Sequence, residues 1–567
     1  MGYYQGKVKG RRKAPYPNSI LDRKAFTEAL EVAGISVKRI HVDEFYKILH
    51  KQNYPPLREF AENYYANERK VNFPQQSKTQ VGNSRRSCNK MTLPKNLILY
   101  ISTTPDFVVT TSRVKERLTS KDDSTTKLII ELYDGFVVES VLMRYRQKGA
   151  GRASLCVSSQ CGCAMGCTFC ATGTMGLSGN LTVGEILEQL VWADRILLEE
   201  SLSRQRSKND NADVDGDHNR NKKENKKDNK IESVRNVVFM GMGEPLDNYN
   251  NVTEACRTMI DRSRWNLAHG RVTVSTVGLI SAIRRLTKEL PQISLALSLH
   301  APNQETRAAI VPTASRYPIE ELIGALDNHM MAYLNQRRKR MSGNNDAALK
   351  VYTVEERMKE SSRRRAMIEY VMLQGESTSF KCAHQLGKLC ENRHLIVNLI
   401  PYNSTDVKDK LQCPSYEHML EFRNIVQSYG TFCTIRRTMG ADIASACGQL
   451  VQKKEQEEKE EEQQQGQIIQ QQQQNATVDI EDVIMERDNT YDTSTNDETT
   501  VVKSTFNRIQ NREICSGQKN NPLASCWTES LSNDDLDRWS RILTVATTIS
   551  ATFLVASSVF FLQKRRP

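Results

Sequence analysis

Six short apolar runs rich in β-branched residues recur between residues 153 and 403: ASLCVSS, VRNVVFM, RVTVSTVG, ISLALSLH, AMIEYVML and HLIVNLIPYN. Between them lie stretches with helical periodicity, such as TVGEILEQLVWADRIL and NVTEACRTMIDR. Strands that alternate with helices must cross over to pair, which predicts parallel strands in a barrel or a wound sheet. A Rossmann-like sheet fits the same alternation, but no GxGxxG follows any of the runs. The less repetitive residues gather just after the runs: a group of cysteines, GMGEP, Ser275, HAPN and PYN. In a (β/α) barrel those positions form the face where chemistry is done.

The rest of the chain divides around this core. Residues 1–88 read as a helical N-terminal region. There, SILDRKAFTEALEVAG is expected to begin at a Ser cap and stop at Gly34, and HVDEFYKILHKQ has the spacing of a packed helix. Residues 89–148 read as a β-rich extension containing LPKNLILYIS and KLIIELYDGFVVESVLMRY, with Asp134-Gly135 as a hairpin turn. The core spans 149–451, interrupted by an Asn/Lys/Asp-rich, low-complexity insertion at 205–229 that is expected to be a solvated loop. Residues 452–541 form a low-complexity linker, read as a disordered tether with a helical Gln/Glu rod as the alternative for its first part.

The last segment, 542–562, has 21 residues without a charge. At about 1.5 Å per residue it reaches roughly 30 Å, the thickness of a bilayer core. Basic residues flank it at Arg541 and at Lys564 to Arg566. We therefore expect a transmembrane helix that anchors the chain to the cytosolic face of a membrane, with plain cytoplasmic residence as the alternative. Seven Ser or Thr residues within the run favour the competing reading, a buried soluble helix.

Charge separates the same regions. The chain carries a formal +12, yet Lys453 to Glu498 holds four Lys/Arg against fourteen Asp/Glu, a net of −10 that leaves +22 elsewhere. So basic a body points to a polyanionic partner such as RNA or DNA, although a basic surface without a partner would look the same. The stretch Arg337-Arg338-Lys339-Arg340 is one candidate contact, with a solvated loop as the alternative. The 14 cysteines do not form a secreted disulfide framework, and no apolar leader segment precedes them, so a reducing compartment is expected.

Four cysteines fall within ten residues, in CGCAMGCTFC. Cys163, Cys167 and Cys170 form C-x3-C-x2-C, a spacing that lets three thiolates hold three irons of a [4Fe–4S] cluster and leaves the fourth iron open. Clusters used only for electron transfer employ four cysteines at other spacings. Two alternatives stand beside this one: a tetrahedral zinc site that includes Cys161, and unrelated buried thiols.

Taken in order, RASLCVSSQCGCAMGCTFCATG, VVFMGMGEPLDNYN, RVTVSTVG, LALSLHAPN, IEYVML, NLIPYN and ADIASACGQL resemble the sequence blocks of the radical S-adenosylmethionine (SAM) enzymes of the RlmN/Cfr type. These are RNA adenine methyltransferases, and the resemblance covers about Leu132 to Leu450. It implies a partial (β/α)6 radical SAM barrel, an α/β fold with a small helical N-terminal domain. It also implies a [4Fe–4S] cluster on Cys163, Cys167 and Cys170, with SAM chelating the open iron. By match, Gly243, Glu244, Ser275, Ser298, Leu299, His300 and Asn403 line the SAM site. A glycine lets backbone approach a ligand, and a carboxylate accepts a hydrogen bond from an ammonium group.

The resemblance further implies the route. The cysteine at position 447 would carry a methyl group from one SAM, and a second SAM would supply the radical that activates it. The resulting carbon radical adds to an electron-poor adenine carbon that cannot act as a nucleophile. Cys156 matches the thiol that releases the product, leaving a Cys156–Cys447 disulfide for later reduction, and Glu139 matches the proton acceptor. Cys161 lies where relatives commonly have an apolar residue, and its part is left open. The implied substrate is large-subunit ribosomal RNA, with tRNA as a second candidate, methylated at adenine C2. Methylation at C8 and a catalytically silent Fe–S or zinc RNA-binding protein are the rivals. The implied partners are that RNA and an electron donor such as flavodoxin or ferredoxin, with a monomeric catalytic body.

Overall fold

The computed structural model describes residues 12–72, 92–145, 151–212, 233–342, 366–393, 395–404, 411–445 and 449. All of these belong to the unit Met1–Gly466. Cys447, residues 213–229 of the insertion, the linker 452–541 and the apolar run 542–562 lie outside the described residues. Among the described residues, no helix is long and apolar enough to cross a membrane.

A two-residue strand, β1 (Asn18–Ser19), precedes three helices: α1 (Arg23–Val32), α2 (Arg39–Lys51) and α3 (Leu57–Asn72). The cap of α1 is Asp22, not the expected Ser19. Its carboxylate accepts the backbone N–H groups of Lys24 and Ala25, both at 3.1 Å, and so satisfies two donors that a helix start leaves open. Ser19 is engaged elsewhere, its hydroxyl donating to the Val109 carbonyl. Phe26, Phe45 and Phe60 pack ring against ring, with neighbouring centroids 5.6 Å and 5.2 Å apart. The helical region joins the core through Arg264, whose guanidinium lies 3.5 Å over the Tyr46 ring.

The run LPKNLILYIS is not a strand. Helix α4 (Lys95–Thr103) follows Pro94 and buries Leu97, Ile98 and Ile101, three positions that share a helix face. It packs on α3 and so continues the helical region. Strand β2 (Phe107–Val108) pairs in parallel with β1.

Three antiparallel strands follow, β3 (Arg113–Thr119), β4 (Thr125–Glu131) and β5 (Val137–Tyr145), the last two joined at Gly135 with φ +81°. They are no separate layer. β5 pairs with β6 (Arg152–Cys156), and β6 is also the first barrel strand, so one ten-stranded sheet runs through both parts. A short hairpin comes next: β7 (Gln160–Cys163), the one-turn α5 (Ala171–Thr174) and β8 (Gly176–Asn180). The long helix α6 (Val183–Ala212) then covers the antiparallel strands. Ser140 donates to Gln189 at 2.6 Å, and Arg144 pairs with Glu200 at 2.6 Å. That cover explains why β4 and β5 are buried on both faces although antiparallel strands commonly leave one face in water. Residues 205–212, expected to be loop, continue α6.

The barrel proceeds as β9 (Val234–Phe239), α7 (Tyr249–Ile260), β10 (Val272–Thr276), α8 (Ile280–Glu289), β11 (Ser294–Ser298), α9 (Gln304–Ile310), α10 (Ile319–Ser342), β12 (Ala366–Met372), α11 (Phe380–Cys390) and β13 (Ile396–Pro401). All six expected strands are present, and every pairing among them is parallel. After α12 (Tyr416–Ser428), a seventh strand, β14 (Phe432–Ile435), extends the row beside β13. Their order along the sheet follows the chain without reversal, which is the order of a barrel and not of a doubly wound sheet. Because β6 pairs with β5 and not with β14, the barrel stays open. Arg337 to Arg340, a candidate RNA contact whose alternative reading was a solvated loop, belong to the helix α10.

Candidate active site

The cysteine loop leaves β7 at Cys163 and closes at α5, above the C-terminal ends of the barrel strands. Gly162 makes the hairpin feasible: its φ is +77°, and a Cβ there would lie 1.9 Å from the Gly176 carbonyl oxygen. Cys163, Cys167 and Cys170 line a cavity of about 150 Å³ together with Gly243, Glu244, Ser275, Ser298, His300 and Asn403. Leu299 does not reach it. This residue is fully buried behind the wall and donates its N–H to the Glu369 carbonyl.

The cavity wall is wired from within. Glu244 is 3% exposed, and its two carboxylate oxygens accept the N–H groups of Leu246 at 3.0 Å and Val277 at 2.9 Å. Burial pushes its pKa up to about 7 against the pull of those donors. Ser275 and Ser298 share a hydrogen bond of 3.2 Å across neighbouring strands. His300 accepts the Val371 N–H at Nδ1, 3.1 Å away, which places the proton of the neutral ring on Nε2. Burial, and secondarily the nearby Arg307, push its pKa down to about 3, so it stays neutral. Phe169 packs edge-on to this ring at 4.8 Å.

Gly243 differs in detail from its sequence reading. It has φ +99°, and its missing Cβ makes room for the Gln160 side chain, whose Cβ would stand 2.5 Å away. Gln160 then takes the Glu244 N–H on Oε1 and donates from Nε2 to Asn180 and Asp247, each at 2.8 Å. Sequence reasoning passed over Gln160 because a glutamine in a strand carries no catalytic signal.

The three thiols suit a cluster. Burial pushes Cys163 up to about 12 and raises Cys167 well above the ordinary thiol range, so neither ionises at neutral pH until a bound cation displaces the proton. Among the described residues, no three His, Cys, Asp or Glu side chains converge as a single metal ion requires. A four-iron cluster needs no such convergence, because each thiolate meets its own iron. Cys161 is set apart. It is buried beside Arg12, which is itself held by Asp134 at 2.9 Å and Glu185 at 2.5 Å.

A second, wider cavity of about 530 Å³ adjoins the first and shares Met240, Ile400, Pro401, Asn403 and Arg436 with it. Cys156 lines it. Cys156 stands opposite Val141 in the β5–β6 register, and Glu139 lies two residues along β5 on the same face. The Glu139 carboxylate pairs with Lys127 at 3.4 Å, both side chains being buried. Thr438, Met439 and Ser445 line the same cavity and belong to the segment that leads toward position 447. That segment leans on the β3–β4 hairpin: the Lys121 N–H in its turn donates to Asp442 at 2.9 Å, and Lys127 on β4 donates to the Ala444 carbonyl at 3.3 Å. No disulfide joins any two of the ten cysteines among the described residues, and the expected partner of Cys156 lies outside them.

An open, sequentially ordered barrel with three thiols at its mouth defines a radical SAM enzyme. The model of the radical SAM superfamily matches residues 157–332. The "Ribosomal RNA large subunit methyltransferase N" of Nitrosopumilus maritimus is 34% identical over 347 residues, 61% of this chain and 82% of that protein. The "Dual-specificity RNA methyltransferase RlmN 1" of Myxococcus xanthus is 36% identical over 332 residues, 58% and 74% of the two chains. In three dimensions, the crystal structure of a radical SAM methyltransferase from Sphaerobacter thermophilus matches with a TM-score of 0.53 at 30% identity, covering 77% of this chain and 99% of the other. The chain belongs to the RlmN family of radical SAM RNA methyltransferases and uses a [4Fe–4S] cluster and SAM.

Proposed function

We propose that this enzyme methylates C2 of adenine in large-subunit ribosomal RNA, and in tRNA, through a methyl group carried on Cys447. When bound, the cluster supplies the electron that splits SAM, delivered to it by a flavodoxin- or ferredoxin-type donor. Cys163, Cys167 and Cys170 hold the cluster. Glu244 accepts the SAM ammonium, and Ser275, Ser298, His300 and Asn403 frame the remainder of the molecule. Leu299 serves from behind, fixing the backbone next to His300.

The observation that carries the reading is the shared face of β5 and β6. Glu139, Val141 and Cys156 share that face, and Val141 and Cys156 line a cavity that adjoins the one lined by the three thiols. Ser445, two residues before position 447 in the chain, lines that same cavity. Glu139 takes the proton that leaves the adenine ring. The Cys156 thiolate attacks the Cys447 sulfur, the S–CH2 bond breaks, its electron pair stays on the departing carbon, which takes up a proton to become the methyl group, and the two cysteines are left as a disulfide.

The substrate adenine has to leave its stack to enter, at a cost of a few kcal/mol. Nucleosides from cells lacking the gene, analysed by mass spectrometry, test the position. Loss of 2-methyladenosine supports the proposal, loss of 8-methyladenosine transfers it to C8, and unchanged nucleosides refute catalysis.

The membrane reading rests only on the length and flanks of 542–562. A fluorescent reporter fused at the N-terminal side, compared with and without residues 542–567, tests it. An unchanged distribution rules out the anchor.

A further inference from the structure

Arg307 heads the fully buried side chains among the described residues by size. It stands on α9, directly after the His300 loop. A buried guanidinium normally has a carboxylate partner. This one pairs with none among the described residues. Its Nε donates to the Leu299 carbonyl at 3.1 Å and its Nη2 to the Val277 carbonyl at 2.5 Å, both neutral acceptors. The third nitrogen, Nη1, is buried without a hydrogen-bond partner.

Its surroundings say where that charge is directed. The end of α9 is fastened to the cysteine loop, with the Thr168 N–H donating to the Ile310 carbonyl at 3.0 Å. Arg307 and Cys167 are close enough to influence each other electrostatically, and Cys167, Ile310 and Val311 pack in one cluster. Val277, which takes one Arg307 bond, also gives its N–H to Glu244. The same guanidinium therefore ties together the loops after β10 and β11 and sits beside the thiol loop.

We propose that Arg307 is a positioning residue for the iron–sulfur centre: its buried positive charge offsets the thiolate-bound cluster and raises the cluster's reduction potential, while its two satisfied N–H groups hold the SAM-site loops in register. The proposal rests on the cluster ligation given above. Physically, reduction adds one negative charge to a centre already anionic with three thiolates. A fixed cation in a dry, low-dielectric setting stabilises that reduced state, and charge and hydrogen bonds near the sulfurs are known levers on such potentials. A side chain needed only to tie two loops would not require a charge.

The test is a redox titration of the full-length protein after anaerobic cluster reconstitution, read by the electron paramagnetic resonance signal of the reduced cluster. Arg307→Gln is expected to keep its iron and sulfide content and to lower the reduction equilibrium constant at least tenfold, about 59 mV for a one-electron couple. A fully loaded Arg307→Gln protein with an unmoved potential overturns the proposal. Should that variant fail to hold iron, Arg307→Lys decides. It keeps the charge without the planar fork, so a potential close to that of the unaltered protein supports the proposal, and a tenfold loss overturns it. If the unaltered protein takes up no cluster, the ligation reading itself has failed, a result distinct from an unmoved potential.

Discussion

The two cavities at the mouth of the barrel share a wall, yet they are built on opposite principles. The narrow one is lined by thiols and by polar side chains whose hydrogen bonds are spent inside the protein, as with Glu244 between two backbone N–H groups. The wider one has Arg437 on its wall, exposed to water, beside Arg436, which both cavities share. Preorganisation belongs to the first, where charge must be managed in a dry site. Reception belongs to the second, where a large, solvated polyanion arrives. If this division is right, substitutions in each cavity should fail in different ways.

The largest expected effect lies in the narrow cavity. Replacing any one of Cys163, Cys167 or Cys170 with Ala should abolish iron loading and methylation together. Cys161→Ala should keep both near the level of the unaltered protein, at a stability cost of about 1 kcal/mol. Iron analysis and nucleoside mass spectrometry read the pair. A cluster lost with Cys161 would erase the distinction between the neighbouring thiols.

Next comes the wider cavity. Cys156→Ala should accumulate a covalent protein–RNA adduct visible on a denaturing gel, whereas Cys447→Ala should form none. Normal methylation by both variants would mean that this cavity does not house the transfer.

A smaller effect is expected at Glu244. Removing one charge-assisted hydrogen bond costs about 1.5–3 kcal/mol, so Glu244→Gln should weaken SAM binding by roughly tenfold to a hundredfold. Burial places the pKa of this carboxyl at about 7, and the ammonium of SAM requires the ionised form. Affinity measured by calorimetry should therefore rise between pH 6 and 8, and the Gln variant should lose that slope. Without SAM the sign reverses. A raised carboxyl pKa favours the fold at low pH, and that contribution is lost as pH climbs from the usual carboxylate range through 7. The smallest effect belongs to Arg437→Gln, which should weaken RNA binding modestly and flatten its salt dependence by about one unit of slope.

How much of this was readable beforehand follows the physics of each residue. The barrel strands were legible because strands buried on both faces must be apolar throughout. The cysteines were legible because their spacing is chemistry in itself. LPKNLILYIS misled because its β-branched content outweighed the helical spacing of Leu97, Ile98 and Ile101, which packing against α3 then selected. β14 was missed as a four-residue edge strand with Phe432 turned outward. Arg307 was unreadable, since an arginine in a polar helix looks solvated until the cysteine loop closes over it.

The residues leading to position 447 rest on the β3–β4 hairpin, more than three hundred residues earlier, through Lys121 in its turn and Lys127 on β4. If Cys447 carries the methyl group as proposed, the segment that leads to it takes its support from a hairpin that contributes no strand to the barrel. A lesion in that hairpin would leave an enzyme able to spend its cosubstrate with nothing in position to receive the carbon.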